Sequence, residues 1–230
     1  MNKLTAIQYL EERAADFYTL SDKIWENAEI RFREKQSVQD YAAFLKDEGF
    51  TITVGMAGLK TGFRAEWGSG KPVIGFLGEY DALPGMSQEA GVCVKKPLAS
   101  DGNGHGCGHN LLGVGSLMGA IGLKYYLETE GKSGTVVFFG CPAEEGGSGT
   151  WPVGTAAHSW QAVSCGKSDF AHKGMLYAGQ IIAATDIDVC NNPEIIETAC
   201  NQLKEKTGNH PYHCPIPPEI TPDLLESEIT

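Results

Sequence analysis

The sequence predicts an α/β domain, built in three layers with a largely parallel sheet flanked by helices. Three observations carry this expectation. Two nearly continuous apolar runs, 72–78 and 135–141, read as strands covered on both faces. Between them Leu111, Val114, Met118, Ile121 and Tyr125 repeat at helical spacing, so that strand, helix and strand form a right-handed crossover unit. Each apolar run is followed by a Gly- and Pro-rich loop carrying acids or histidines, and ligand sites of such sheets lie past the carboxyl ends of the strands.

The other elements follow in order. Leu10, Ala14, Phe17, Ile24 and Trp25 predict one long amphipathic helix at the start. A second helix is expected from about Ser37, as N-cap, through Tyr41, Phe44 and Leu45 to a stop at Gly49. Residues 51–54 and 62–67 alternate as half-buried strands do, with a turn at 68–70. Residues 79–108 have no periodicity, and a loop of that length inside a compact domain is usually functional. In the central helix Gly115, Gly119 and Gly122 leave a face small enough to approach a sheet closely. Helices are expected over about 167–189 and from Pro193 to Lys206, Pro suiting a first turn. Residues 1–210 read as one catalytic-type domain and 211–230 as a Pro-rich acidic tail.

Composition narrows the function. A formal net charge of -11 with no concentrated basic patch argues against nucleic acid as a partner. No apolar run approaches the ~20 residues of a spanning helix, so no membrane partner is expected. The first residues reach charges before any signal-peptide core could form, and cytoplasm is the expected location. Seven cysteines, an odd number and widely spread, do not form a secreted disulfide framework.

Chemistry-bearing residues gather in the two loops. The first contains Glu79, Asp81, His105, Cys107 and His109, and the second contains Glu144 and Glu145. Thiolate, imidazole and carboxylate donors converging from separate loops suit a borderline-soft ion such as zinc. Adjacent acids allow one carboxylate to bind the ion while the other moves a proton. Alone, each of these has an ordinary meaning: Cys107 a buried thiol, Glu79 an exposed loop acid, His105 a loop residue without a role, Glu144 and Glu145 a solvated turn.

Together they carry a resemblance. The runs GEYDALPG at 78–85, GHGCGHN at 104–110, PAEEGG at 142–147, AHSWQAV at 157–163 and AHKGM at 171–175 resemble metallopeptidase family twenty, the aminoacylase and carboxypeptidase G type. The likeness is to its amidohydrolase branch, which acts on N-aroyl amino acids such as p-aminobenzoyl-glutamate. It implies a zinc-peptidase-like catalytic domain with a two-metal site. Cys107 would bridge the ions, His109 would complete one, and Glu145 with His158 would hold the other. Glu144 would be the general base and acid, and Asp81 would steady a ligand. His172 is expected to be structural.

The resemblance also implies a departure. The family's inserted lid and dimerisation domain is missing at about 147–151, and a further ligand with it. One ion site is therefore expected to be well formed and the second incomplete, with Zn2+ favoured and Mn2+ or Co2+ able to substitute. The implied activity is metal-dependent hydrolysis of an amide in an N-acyl or N-aroyl amino acid or a dipeptide. It is expected to be weak without a lid to orient substrate and exclude water. The alternative is a non-catalytic metal-binding or interaction module.

Overall fold

The computed structural model describes residues 3–144, 158–208 and 210. The expected single amphipathic helix at the start is two, α1 (Lys3–Glu12) and α2 (Ala14–Asn27). The break falls at Arg13. Its guanidinium reaches Glu48 and Asp16 and lies over the rings of Tyr9, Phe17 and Phe44, contacts that periodicity cannot reveal. Helix α3 (Lys35–Asp47) starts two residues before Ser37. The Glu29 carboxylate, and not Ser37, caps it by accepting the N–H groups of Gln36 and Ser37, each at 2.9 Å. Gly49, at φ +82, takes the chain out of the helix in the left-handed conformation that favours glycine.

Strands β1 (Thr51–Val54), β2 (Phe63–Ser69), β3 (Val73–Glu79) and β4 (Gly134–Cys141) form one sheet in the order β1-β2-β4-β3. Only β3 and β4 are parallel; β1 with β2 and β2 with β4 are antiparallel. The α/β class stands, but the sheet is mixed where a largely parallel one was expected. The reason is connectivity. Only β3 and β4 are joined by a helical crossover, α4 (His109–Thr129), whereas β1 and β2 are joined by a short link that returns the chain antiparallel.

The core joins α1, α2, α3, α4 and α6 (Asp169–Asn191) to Phe63, Ala65, Phe76, Val136 and Phe138 of the sheet. On β3, Phe76 points inward while Val73 and Leu77, on the opposite face, are exposed. Among the described residues β3 is thus covered on one face, where a strand covered on both was expected. The small face of α4 meets mainly a helix. A side chain at Gly119 would press on Ile182 of α6 as well as Phe76, and one at Gly122 on Ala183 and Leu10. Helices α5 (Trp160–Cys165) and α7 (Glu194–Thr207) complete the described chain. None of the described helices is long and apolar enough to cross a membrane. The expected lid junction at 147–151 and the tail 211–230 lie outside the described residues.

Candidate metal centre

The parallel pair builds the site. In its register Glu79 at the end of β3 faces Cys141 at the end of β4, so both loops leave the same edge. The first is pinned at once: Ala82 donates its N–H to the Glu29 carbonyl at 2.7 Å and Ile30 bridges to Ala82. Asp81 is buried beside this anchor. The chain returns through Gly108, which caps α4 at φ +80, and His109 opens the helix.

His109 is 1 % exposed, so the partners of its two nitrogens decide what it can do. Nδ1 faces the Asp81 carboxylate at 2.8 Å and the Asp81 carbonyl at 2.9 Å. Both are acceptors, so the proton sits on Nδ1 and the lone pair of Nε2 is left free, the tautomer a metal ligand needs. Nε2 lies 3.4 Å from Glu79 Oε2 and 3.5 Å from Glu144 Oε2. Both Nε2 and the Glu144 oxygen are buried and without a hydrogen-bond partner.

Electron-rich atoms converging without a donor call for a cation. Burial pushes the Glu79 carboxyl up; the neighbouring Glu144 and Asp81 charges add to this and His109 opposes it. Burial works against a charge on His109, yet Asp81 and Glu79 outweigh it and raise its pKa. A proton or a metal ion answers the same demand. Among the described residues Glu79, His109 and Glu144 are the one group of three or more such donors lying within 4.8 Å of one another. Their chemistry fits a divalent ion of borderline or hard character.

Cys107 and His158 form a second pair. The His158 N–H donates to the Gly106 carbonyl at 3.0 Å, its backbone is left-handed at φ +51, and its Nε2 shares a hydrogen bond with the buried Cys107 thiol. Residues 51 apart in sequence are thus brought together, but not into the three-donor group. Glu145 lies outside the described residues.

Three expectations change. Glu79 is half-buried at the site and not an exposed loop acid, because β3 runs one residue further than its apolar run. Where His109 was expected to supply one of two ligands for the incomplete site, it lies in a group of three donors with Glu79 and Glu144. His105 is not an idle loop residue: it is 1 % exposed and its Nε2–H donates to the Ile24 carbonyl at 2.9 Å, tying the loop to α2. Burial pushes its pKa down to about 3, with the Ile24 bond opposing and His109 adding. His172 stands apart, stacked on Tyr18 and donating to Asp22 at 2.9 Å.

A mixed α/β domain that gathers an imidazole and carboxylates past the ends of its parallel strands has the donor set of a metal-binding site where such sheets place their ligands. The chain belongs to Peptidase family M20/M25/M40, whose pattern matches residues 75–222. Over 144 residues it is 47% identical to a subunit of the p-aminobenzoyl-glutamate hydrolase of Escherichia coli (strain K12), covering 63% of this chain and 29% of that one. It is 31% identical over 159 residues to the Xaa-Arg dipeptidase of Mus musculus, covering 64% and 33%. A solved structure, that of a putative aminohydrolase from methicillin resistant Staphylococcus aureus, superposes with a TM-score of 0.52 at 23% identity, over 63% of this chain and 36% of that one, and shows the shared fold. The chain spans about a third of the length of the curated relatives it matches.

Proposed function

We propose that this chain carries the metal-binding core of an amidohydrolase that cleaves the amide of an N-acyl or N-aroyl amino acid, p-aminobenzoyl-glutamate being the model substrate, or of a dipeptide. The single observation that carries the reading is the pair of buried, unpartnered atoms His109 Nε2 and Glu144 Oε2 held 3.5 Å apart. Glu79 and His109 would hold one ion, and Cys107 and His158, joined by Glu145, would hold another. Zn2+ is the proposed metal, with Mn2+ or Co2+ able to replace it.

When bound, such an ion acidifies water and polarises the amide carbonyl. The protein's own part is the rest. Asp81 holds the His109 proton on Nδ1 and so keeps Nε2 available. Glu144, at the mouth of the site, takes a proton from the attacking water and delivers it to the leaving nitrogen. Buried Asp81, His109 and Tyr80 keep water from the rear of the cluster. Turnover is expected to be slow, because the missing lid deprives the substrate carboxylate of an orienting surface. No disulfide joins the described cysteines, Cys93, Cys107, Cys141, Cys165, Cys190 and Cys200, which suits the reducing cytoplasm we propose as its location.

The test is metal content together with hydrolysis. Protein supplied with Zn2+ or Mn2+ should hold about one ion per chain or more and release p-aminobenzoate slowly from p-aminobenzoyl-glutamate. Glu144→Gln should keep the ion and lose hydrolysis by about 100-fold or more. A variant that hydrolyses as fast as the parent would end the role of Glu144. Protein that binds no ion would end the metal reading altogether, whereas a bound ion without hydrolysis would favour the non-catalytic metal-binding module.

A further inference from the structure

One carboxylate near the site takes no part in that chemistry. Glu34, the residue before α3, is fully buried at 0 % exposure. Burial raises its pKa, and the nearby Asp81 adds to this against the hydrogen bonds it accepts. Those bonds lead in two directions. Oε2 accepts the Thr61 hydroxyl at 2.8 Å, and the Thr61 carbonyl in turn accepts the Tyr80 hydroxyl at 2.6 Å. Oε1 accepts the N–H of Ala143 at 2.9 Å, across 109 residues of sequence.

Ala143 immediately precedes Glu144 and is held at φ +63. A residue bearing a Cβ adopts that left-handed conformation only at an energetic cost. Something must hold the turn there, and the Glu34 carboxylate grips the amide of the strained residue itself. Its other oxygen is tied through Thr61 to Tyr80, the neighbour of Asp81. The same buried group therefore connects the loop that carries Glu144 to the loop that orients His109.

We infer that Glu34 is a positioning residue, which locks the Ala143 turn and thereby aims the Glu144 carboxylate at the cluster around His109. The inference rests on the reading of Glu144 as the proton carrier, but its structural half can be measured without turnover. Two conservative variants separate reach from charge. Glu34→Asp keeps the charge and withdraws it by one methylene from Ala143. Glu34→Gln keeps the length and an oxygen acceptor, and the Thr61 hydroxyl can turn to accept from the new amide.

Amide hydrogen exchange at Ala143, followed by NMR, is the deciding readout, with the β4 amides as internal reference. Glu34→Asp should exchange at Ala143 about tenfold faster or more, the β4 amides staying within about twofold, while Glu34→Gln stays within about threefold of the parent at both. Where hydrolysis is measurable, Glu34→Asp should lower kcat and leave KM and Mn2+ affinity unchanged. Equal exchange at Ala143 in the two variants would overturn the inference, as would a rise at Ala143 no larger than that across β4, the mark of general loosening. Failure of the Glu144→Gln test leaves this exchange pattern untouched, so the two readings fall separately.

Discussion

Removing the Asp81 charge is the sharpest probe of the His109 arrangement. Asp81→Asn puts an amide where a carboxylate now receives the Nδ1 proton at 2.8 Å. Loss of such a supporting partner weakens metal binding by about 10–100-fold, or roughly 1.4–2.7 kcal/mol. The structure points to the lower end. The Asp81 carbonyl, at 2.9 Å from the same nitrogen, survives the substitution and still favours a free lone pair on Nε2. A tenfold rise in the dissociation constant for Mn2+ or Zn2+ is therefore expected, with the unfolding midpoint of the metal-free protein little changed. Asp22→Asn supplies the control. It removes the same charge from a carboxylate paired with His172 at 2.9 Å, away from the cluster, and should leave the dissociation constant alone. Isothermal titration of the metal-free proteins at fixed pH and salt measures both. If Asp81→Asn binds within about twofold of the parent, or if Asp22→Asn weakens binding equally, the Asp81 carboxylate does not orient His109 for a metal.

Two further outcomes concern the framework. Asp186 on α6 has one carboxylate oxygen without a hydrogen-bond partner, and burial raises its pKa from the ordinary 3.8 to about 7. Its folded pKa is above its unfolded one, so the stability it contributes is full below about pH 3.8 and lost as pH rises to about 7. The full shift corresponds to roughly 4 kcal/mol, which partial solvent contact reduces to ~2 kcal/mol. Asp186→Asn should thus gain ~2 kcal/mol over the parent at about pH 8 and almost nothing at about pH 4 in urea unfolding, and a gap constant with pH would contradict the assignment. Gly113→Ala would drive a methyl into the Glu79 carbonyl oxygen and the Tyr41 hydroxyl. A loss of about 2–3 kcal/mol is expected, with weaker metal binding because Glu79 and the first turn of α4 are forced apart; parent-like stability and affinity would show that this contact is soft.

How much of the fold and site is legible in sequence depends on how local each determinant is. The apolar runs at β3 and β4 and the periodicity of α4 name their elements directly, and the family resemblance points to His109, Asp81 and Glu144. The break in the first helix falls at Arg13, whose partners are as distant as Glu48, and neighbouring residues carry no sign of those contacts. A continuous apolar run such as β3 is equally compatible with one covered face or two, and the exposed Val73 and Leu77 decide for one. Glu79 reads as a loop acid because a carboxylate ending an apolar run is ordinarily solvated. His105 and Glu34 are invisible for a related reason: their importance lies in burial, and nothing in a charged or polar letter announces that its surroundings are dry.

The two halves of the proposed site are held by different means, which bears on what the core can tolerate. Glu79 and His109 sit on the last residue of a strand and the first of a helix, and a close contact at Gly113 fixes those elements to each other. Regular hydrogen bonding therefore supports the half proposed to bind metal. Glu144 lies three residues beyond β4, outside any ladder, behind a strained alanine whose amide is gripped by a carboxylate from a third element. Strain of this kind persists only where surrounding contacts over-determine it. A disturbance of the loop after β4 should therefore disable the proposed proton carrier before it empties the proposed ion site. If the chain hydrolyses an amide as proposed, loss of that activity with retained metal is the expected signature of damage there, and metal binding alone is weak evidence for turnover.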